Sequence, residues 1–218
     1  MTEALKISEI RRNYCLQSLT KESVVSDPLI QFQHWLKEAI QSEVIEPTAM
    51  VVSTVSPDQK PSARVLLLKG VDNHGFVFFT NYESRKGYDL SENPNIALTF
   101  FWAELERQVR IEGTVAKVPD DVSDNYFHSR PIGSQIGAWV SPQSQEIESR
   151  EVLERADSII SEKFKDCDVI PRPKHWGGYV VTPERVEFWQ GRPNRLHDRI
   201  LYTRSGSTGT WTIKRLAP

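Results

Sequence analysis

Apolar residues recur at helical spacing in one early segment and at strand spacing through most of the chain that follows. Phe32, Trp35, Leu36, Ala39 and Ile40 keep a 3.6-residue rhythm, which predicts a helix with one buried face. Asp27-Pro28 marks its start, with Asp as N-cap and Pro in the first helical position. After Pro47 the rhythm shortens. Segments 49–55 and 64–69 read as strands joined by a Ser56-Pro57-Asp58-Gln59-Lys60 turn, and Asp72-Asn73-His74-Gly75 turns into a strand over 76–80. Residues 84–93 predict a short helix closed by Asn93-Pro94. Two more strands follow over 96–102 and 108–118, then helices over 119–129 and 149–164. The later helix should bury Val152, Leu153, Ala156, Ile159, Ile160 and Phe164 on one side. Four strands close the chain, over 178–181, 185–189, 199–203 and 210–216, the last pair joined through Ser205-Gly206-Ser207-Thr208-Gly209. Residues 1–26 are polar and read as a mobile or partly helical arm.

Many short strands with hairpin-type turns, and helices inserted between them, favour a mainly β, α+β fold built on an antiparallel barrel over a doubly wound parallel sheet. A chain of 218 residues fits the arm, 1–26, and a single domain, 27–218. At 39% hydrophobic and 26% charged residues it reads as soluble and globular. The net charge of −2 gives no general pull toward nucleic acid or an anionic membrane, so an anion site must come from local clustering. No apolar run approaches the roughly 20 residues of a membrane helix, and the N-terminus lacks the apolar stretch of a secretory signal. Two cysteines, Cys15 and Cys167, suit neither a disulfide framework nor a metal site, which points to a reducing, cytoplasmic setting. The histidines are scattered, so no metal is expected. No dinucleotide fingerprint or P-loop is present.

Four clusters carry candidate chemistry. In Thr80-Asn81-Tyr82-Glu83-Ser84-Arg85-Lys86 a strand ends, turns and enters a helix. The helix N-terminus with Arg85 and Lys86 makes either a phosphate cradle or an ordinary capped helix with solvated cations. In Arg64-Val65-Leu66-Leu67-Leu68-Lys69 two cations bracket four aliphatic residues. They either serve an anion or mark strand ends, and a regular strand points them to opposite faces. Tyr126-Phe127-His128-Ser129-Arg130-Pro131-Ile132-Gly133-Ser134-Gln135 gathers hydroxyls and an arginine suited to a second phosphate, or to a polar helix end. Finally Arg192, Arg195, His197 and Arg199 follow Trp189 within ten residues. Such a cluster suits a planar anion, or a loop whose arginines pair with Asp198 and Glu187. No nucleophile with its base is evident, so the chemistry is expected from a bound cofactor.

These segments resemble the pyridoxine (pyridoxamine) 5'-phosphate oxidase family from about Arg11 to Pro218. The resemblance rests on the 64–69 and 126–131 runs, Phe79 to Lys86, Ser134-Gln135-Ile136-Gly137-Ala138-Trp139, Trp189-Gln190, Asn194 to Arg199 and the terminal Arg215-Leu216-Ala217-Pro218. It implies a split β-barrel homodimer with FMN at the subunit interface. It also implies that Arg64, Val65, Leu66, Leu67, Leu68, Lys69, Phe79, Thr80, Arg85, Lys86, Gln108, Gln143, Ser144, Trp189 and Arg199 contact FMN. Lys69, Tyr126, Arg130 and Ser134 are implied to hold the substrate phosphate. Arg195 and His197, the catalytic pair, would face the pyridine ring with Leu196 between them, while Arg11 and Tyr14 close the arm over the site. The implied reaction oxidises C4' of pyridoxine or pyridoxamine 5'-phosphate, with a hydride passing to flavin N5 and dioxygen becoming hydrogen peroxide. The amine substrate also yields ammonia. Phe79 stands where a Tyr is common in the family, and Asn13 where an acidic residue is common. Arg192 receives no role.

Overall fold

Asp27 caps the first helix as predicted: its Oδ1 accepts the N–H of Leu29 at 2.7 Å, and Pro28 opens α1 (Pro28–Gln41). The computed structural model describes residues 13–204 and 209–218. The nine strands are β1 (Ala49–Val55), β2 (Pro61–Leu67), β3 (Gly70–Asp72), β4 (Gly75–Asn81), β5 (Asn95–Trp102), β6 (Arg107–Lys117), β7 (Trp176–Gln190), β8 (Asp198–Thr203) and β9 (Thr212–Leu216). Helix α2 (Arg85–Glu92) joins β4 to β5, and α3 (Asp120–Ser129), α4 (Ile132–Val140) and α5 (Arg150–Phe164) lie between β6 and β7. The strand order is β2-β1-β5-β6-β7-β4-β3, with β8 added on β7 and β9 on β8. The β1/β2, β3/β4, β4/β7, β7/β8 and β8/β9 pairs are antiparallel. The expected mainly β architecture with inserted helices is therefore present.

The chain divides into two compact units. One takes in the chain up to Pro47, Thr99–Ile111 and Arg185–Pro218; the other comprises Thr48–Leu98 and Glu112–Glu184. In the first, α1 buries Phe32, Trp35 and Ala39. Phe32 packs 4.8 Å from Phe100, and Trp35 meets Phe188 edge-on at 5.1 Å. In the second, Met50, Val52, Phe76, Phe78, Leu98 and Val181 are buried along the strands. A further cluster joins Phe127, Ala138, Phe164, Ile170 and Trp176 beneath the helices.

Four expectations need correction. The segments 178–181 and 185–189 belong to one 15-residue strand, β7. Pro183 falls between two pairings: β4 takes residues 176–181 and β8 takes 185–190, so neither of these ladders needs a donor at 183. Helix α4 was not anticipated, because Gly133 and Gly137 weaken its helical signature. Ile40 is 55% exposed and Ile159 68% exposed; the buried stripe of α1 runs 28, 29, 32, 35 and 39, leaving position 40 a further 100° round the helix. Of the arm read as mobile or partly helical, residues 13–26 contain no helix and residues 1–12 lie outside the described residues. The expected turn over 205–209 lies largely outside the described residues, as does Arg11.

Candidate functional site

The 48–98/112–184 unit contains the cradle expected at the start of α2. Ser84 is its N-cap, accepting the N–H of Gly87 at 3.3 Å and donating to the Asn81 carbonyl at 2.7 Å. A Cβ on Gly87 would lie 2.0 Å from the Tyr82 carbonyl oxygen, so only glycine lets this first turn close on the preceding strand end. Lys86 is thereby drawn inward, to 6% exposure. Its ammonium donates to Thr80 Oγ1 at 3.1 Å, Ser84 Oγ at 2.9 Å and Gln143 Oε1. All three acceptors are neutral. Burial, with a smaller contribution from the positive charge of Arg64, lowers the Lys86 pKa to about 8.

Arg64 is half-buried on β2 and donates to Thr54 Oγ1 at 2.8 Å, while Thr54 donates to Asp89 Oδ2 at 2.6 Å. Burial lowers its pKa, Asp89 opposes that shift, and Arg85 adds to it. Three cations thus bear on one another around the α2 N-terminus, with Asp89 as the counter-charge acting on Arg64. A phosphate would relieve their repulsion and satisfy the desolvated ammonium. This donor set fits the phosphate end of FMN.

A second cluster with an unpaired cationic donor lies in the same unit. Arg130 ends α3, and its guanidinium carbon sits 4.5 Å above the Trp176 ring. Its Nη1 is buried with no hydrogen-bond partner. Burial lowers the Arg130 pKa, an effect opposed by Tyr126. A buried donor left unpaired costs about 1–3 kcal/mol, more when charged, so this geometry anticipates an acceptor. Arg130 and Ser134 line a cavity of about 190 Å³ with Asn81, Gln143 and Trp176. Phe79 stacks on Tyr126 at 3.9 Å and on Trp176 at 5.7 Å, forming an aromatic wall. The position that lacks a tyrosine hydroxyl therefore uses its ring. Gln135, outside the expected set, donates to the Arg130 carbonyl at 2.8 Å and steadies the α3–α4 corner.

The remaining expected residues of this unit are less convergent. Lys69 is exposed just past β2, its N–H bonded to the Val77 carbonyl at 2.8 Å. Val65 and Leu67 face outward, opposite Val51 and Ala49, while Leu66 is half-buried with Arg64 and Leu68 is buried. Arg85 is exposed, and Ser144 adopts a left-handed φ of 74°. Trp176 was not singled out from sequence, and Ser84 was read only as the start of the helix. The N-cap role of Ser84 before Arg85-Lys86 was the available signal; Trp176 lay just before the expected strand.

The other unit carries the Arg/His loop. Trp189 and His197 pack at 4.6 Å, and Tyr14 meets both rings edge-on at 5.8 Å. The Arg192 N–H donates to His197 Nδ1 at 3.1 Å, which leaves the proton of the neutral ring on Nε2. Burial lowers the His197 pKa, and Arg195 lowers it further. Asn194 and Arg195 hold φ of 57° and 62°, a left-handed pair that exposes Arg195 and Leu196. Such backbone costs roughly 1–3 kcal/mol per residue. Arg199 grips the buried Glu187 carboxylate through Nε and Nη2 at 2.8 and 2.9 Å. The pairing of loop arginines with Glu187 and Asp198 is thus real for Arg199 and Arg192. Gln108 is half-buried on β6. Among the described residues, no three His, Cys, Asp or Glu side chains form a metal-binding group, and no helix is long and apolar enough to cross a membrane.

Comparison with known proteins adds the following. Residues 36–158 match the family model described as pyridoxamine 5'-phosphate oxidase. Residues 176–218 match the pyridoxine 5'-phosphate oxidase C-terminal dimerisation region. The pyridoxine/pyridoxamine 5'-phosphate oxidase of Salinibacter ruber is 55% identical over 213 residues, covering 98% of this chain and 99% of the relative. That of Burkholderia vietnamiensis is 54% identical, covering 97% and 99%. Among solved structures, PhzG from Burkholderia lata, crystallised with tetrahydrophenazine-1-carboxylic acid, aligns with a TM-score of 0.86 at 28% identity, over 93% of this chain and 99% of its own. An FMN-binding protein from Nostoc punctiforme shares the fold at a TM-score of 0.69 and 16% identity, over 89% and 100%. The fold class is the antiparallel split barrel.

Proposed function

Because the chain belongs to the pyridoxine/pyridoxamine 5'-phosphate oxidase family, we propose that it converts pyridoxamine and pyridoxine 5'-phosphates to pyridoxal 5'-phosphate with FMN as cofactor. The observation that carries this reading is the buried, unpartnered Nη1 of Arg130 beside Ser134, in a cavity next to the Lys86 cradle. A flavoprotein with a phosphorylated substrate requires two phosphate sites, and Gln143 belongs to both groups. Bound there, FMN would supply the two-electron redox chemistry that links oxidation at C4' of the substrate to reduction of dioxygen to hydrogen peroxide.

The chain's own residues bind and orient. Lys86, Arg64, Arg85 and Thr80 hold the FMN phosphate, and Lys69, Gln108, Gln143, Ser144, Trp189 and Arg199 complete the cofactor contacts with Phe79 and the 65–68 backbone. Arg130, Ser134, Tyr126 and Lys69 hold the substrate phosphate. Arg195 steadies charge developing near C4'. His197, neutral with its proton on Nε2, donates a hydrogen bond to the substrate. Water then releases ammonia from the oxidised amine. The C-terminal dimerisation region supports a homodimer, and the two thiols suit the cytoplasm.

PhzG acts as the reference for a second reading, because its bound ligand is a ring carboxylate with no phosphate. The two readings separate in one assay. The FMN-loaded protein is mixed with pyridoxamine 5'-phosphate under air, and aldehyde and peroxide are followed. Product in both channels is expected; no product at saturating FMN would overturn the oxidase reading.

A further inference from the structure

Arg192 is the one cation of the C-terminal loop without a role in the proposed chemistry, and it lies in a network of bonds to arm residues 17 and 19. Its Nη1 donates to the Gln17 carbonyl at 3.0 Å, and its Nε lies 3.5 Å from Asp198 Oδ2. The same Asp198 oxygen accepts the Leu19 N–H at 3.0 Å, while Oδ1 takes Arg215 at 2.6 Å. Arg215 returns to the arm, donating to the Leu19 carbonyl at 2.8 Å. The Asp198 pKa is lowered, because the Leu19 N–H and the charges of Arg215 and Arg192 outweigh the cost of burial. Two arginines and one carboxylate thus form a clasp on residues 17–19.

The clasp has a counterpart one turn of chain earlier. Glu106, 2% exposed, accepts the N–H groups of Cys15 at 2.8 Å and Leu16 at 3.1 Å. Its carbonyl accepts the Gly191 N–H at 2.7 Å. Tyr14 therefore lies immediately before two successive anchors, and both anchors also hold the loop that carries His197. Because Arg192 offers its backbone N–H to His197 and its side chain to Gln17, one residue ties arm and loop together.

We propose that Arg192 is a positioning residue: its side chain sets the register of arm residues 14–19 so that Tyr14 lies against the His197 and Trp189 rings. Substitution of the side chain leaves the backbone bond to His197 Nδ1 in place, so any effect reports the arm and not the histidine tautomer. The bond geometry stands by itself; the effect on turnover rests on the oxidase reading.

The test uses the full-length, FMN-loaded protein with Arg192→Ala and Arg192→Lys. Amide hydrogen exchange is read by mass spectrometry on peptides covering residues 13–20. Exchange in the arm is expected to rise at least tenfold in R192A and less in R192K, with melting temperature nearly unchanged. The KM for pyridoxamine 5'-phosphate should rise several-fold in R192A while kcat stays within about twofold. Arm exchange within twofold of the parent would overturn the proposal, and so would faster exchange with an unchanged KM. If the parent itself shows no turnover, the oxidase reading fails, and the exchange contrast alone then decides the role of Arg192.

Discussion

Arg199 and Glu187 face each other across the β7–β8 pair with two parallel hydrogen bonds of 2.8 and 2.9 Å. Glu187 is 3% exposed, and the bidentate geometry is the strong form of this interaction. Removing Arg199 leaves a buried carboxylate whose next cation, Arg110, is 3.7 Å away. Breaking a fully buried pair costs about 3–5 kcal/mol. Arg199 is a quarter exposed and Arg110 remains, so Arg199→Ala should lose about 2 kcal/mol, below that range. Urea unfolding of the apo protein measures it. An unchanged midpoint with weakened FMN binding would assign Arg199 to the flavin alone.

If Lys86 holds the FMN phosphate as proposed, FMN binding should depend on pH. Its pKa is lowered to about 8 by burial. A bound phosphate favours the charged amine, so affinity should be full below that value and fall as pH rises through it. Fluorescence titration at pH 7 and pH 9.5 checks the direction. For the apo protein the sign is opposite. Between pH 8 and the ordinary lysine value the unfolded chain holds a proton that the folded chain has released, so stability contributed by this group rises with pH.

Arg130 should discriminate substrate from cofactor. One charge-assisted hydrogen bond contributes about 1.5–3 kcal/mol, equivalent to roughly 10–150-fold. Arg130→Ala is therefore expected to raise the KM for the phosphorylated substrate by at least about tenfold. FMN affinity should change little. Equal losses of both would mean that Arg130 supports the cradle or the fold.

Gly191→Ala tests the seat of Tyr14 from the opposite side. An added Cβ would lie 2.8 Å from Tyr14 Cβ and Cγ and 3.0 Å from Glu106 Cβ. The ring must move, because those atoms lie near the Tyr14 backbone. Near-ultraviolet circular dichroism should lose intensity from the Tyr14–Trp189 pair while the far-ultraviolet spectrum is retained. An unchanged near-ultraviolet signal would show that the arm absorbs the methyl group elsewhere.

Much of the fold was legible because its signals are local. Asp27-Pro28 caps α1, Ser84 and Asn93 bound α2, and alternating burial marks β1 and β4. The misreadings share a different character. The segments 178–181 and 185–189 read as two strands, but they form one strand that pairs with β4 before residue 183 and with β8 after it. Helix α4 was hidden by two glycines, and its neighbours supply the packing that its own residues do not. The Lys86 cradle was legible as Arg85-Lys86 at a helix start. The contribution of Gln143 to it spans 57 residues of sequence, a distance over which spacing carries no information.

The sequence by itself determined where the cations cluster, because side-chain type and turn chemistry are written locally. Only the tertiary structure decided which of those cations are paired and which keep an unpartnered donor. Arg130 has a buried nitrogen without a partner, Arg199 is held by Glu187, and Arg192 is spent on the arm. The physical reason is that an arginine's role depends on whether a carboxylate or carbonyl reaches it in the fold. For Arg192 and Arg215 those partners come from residues 17 and 19, at the far end of the chain.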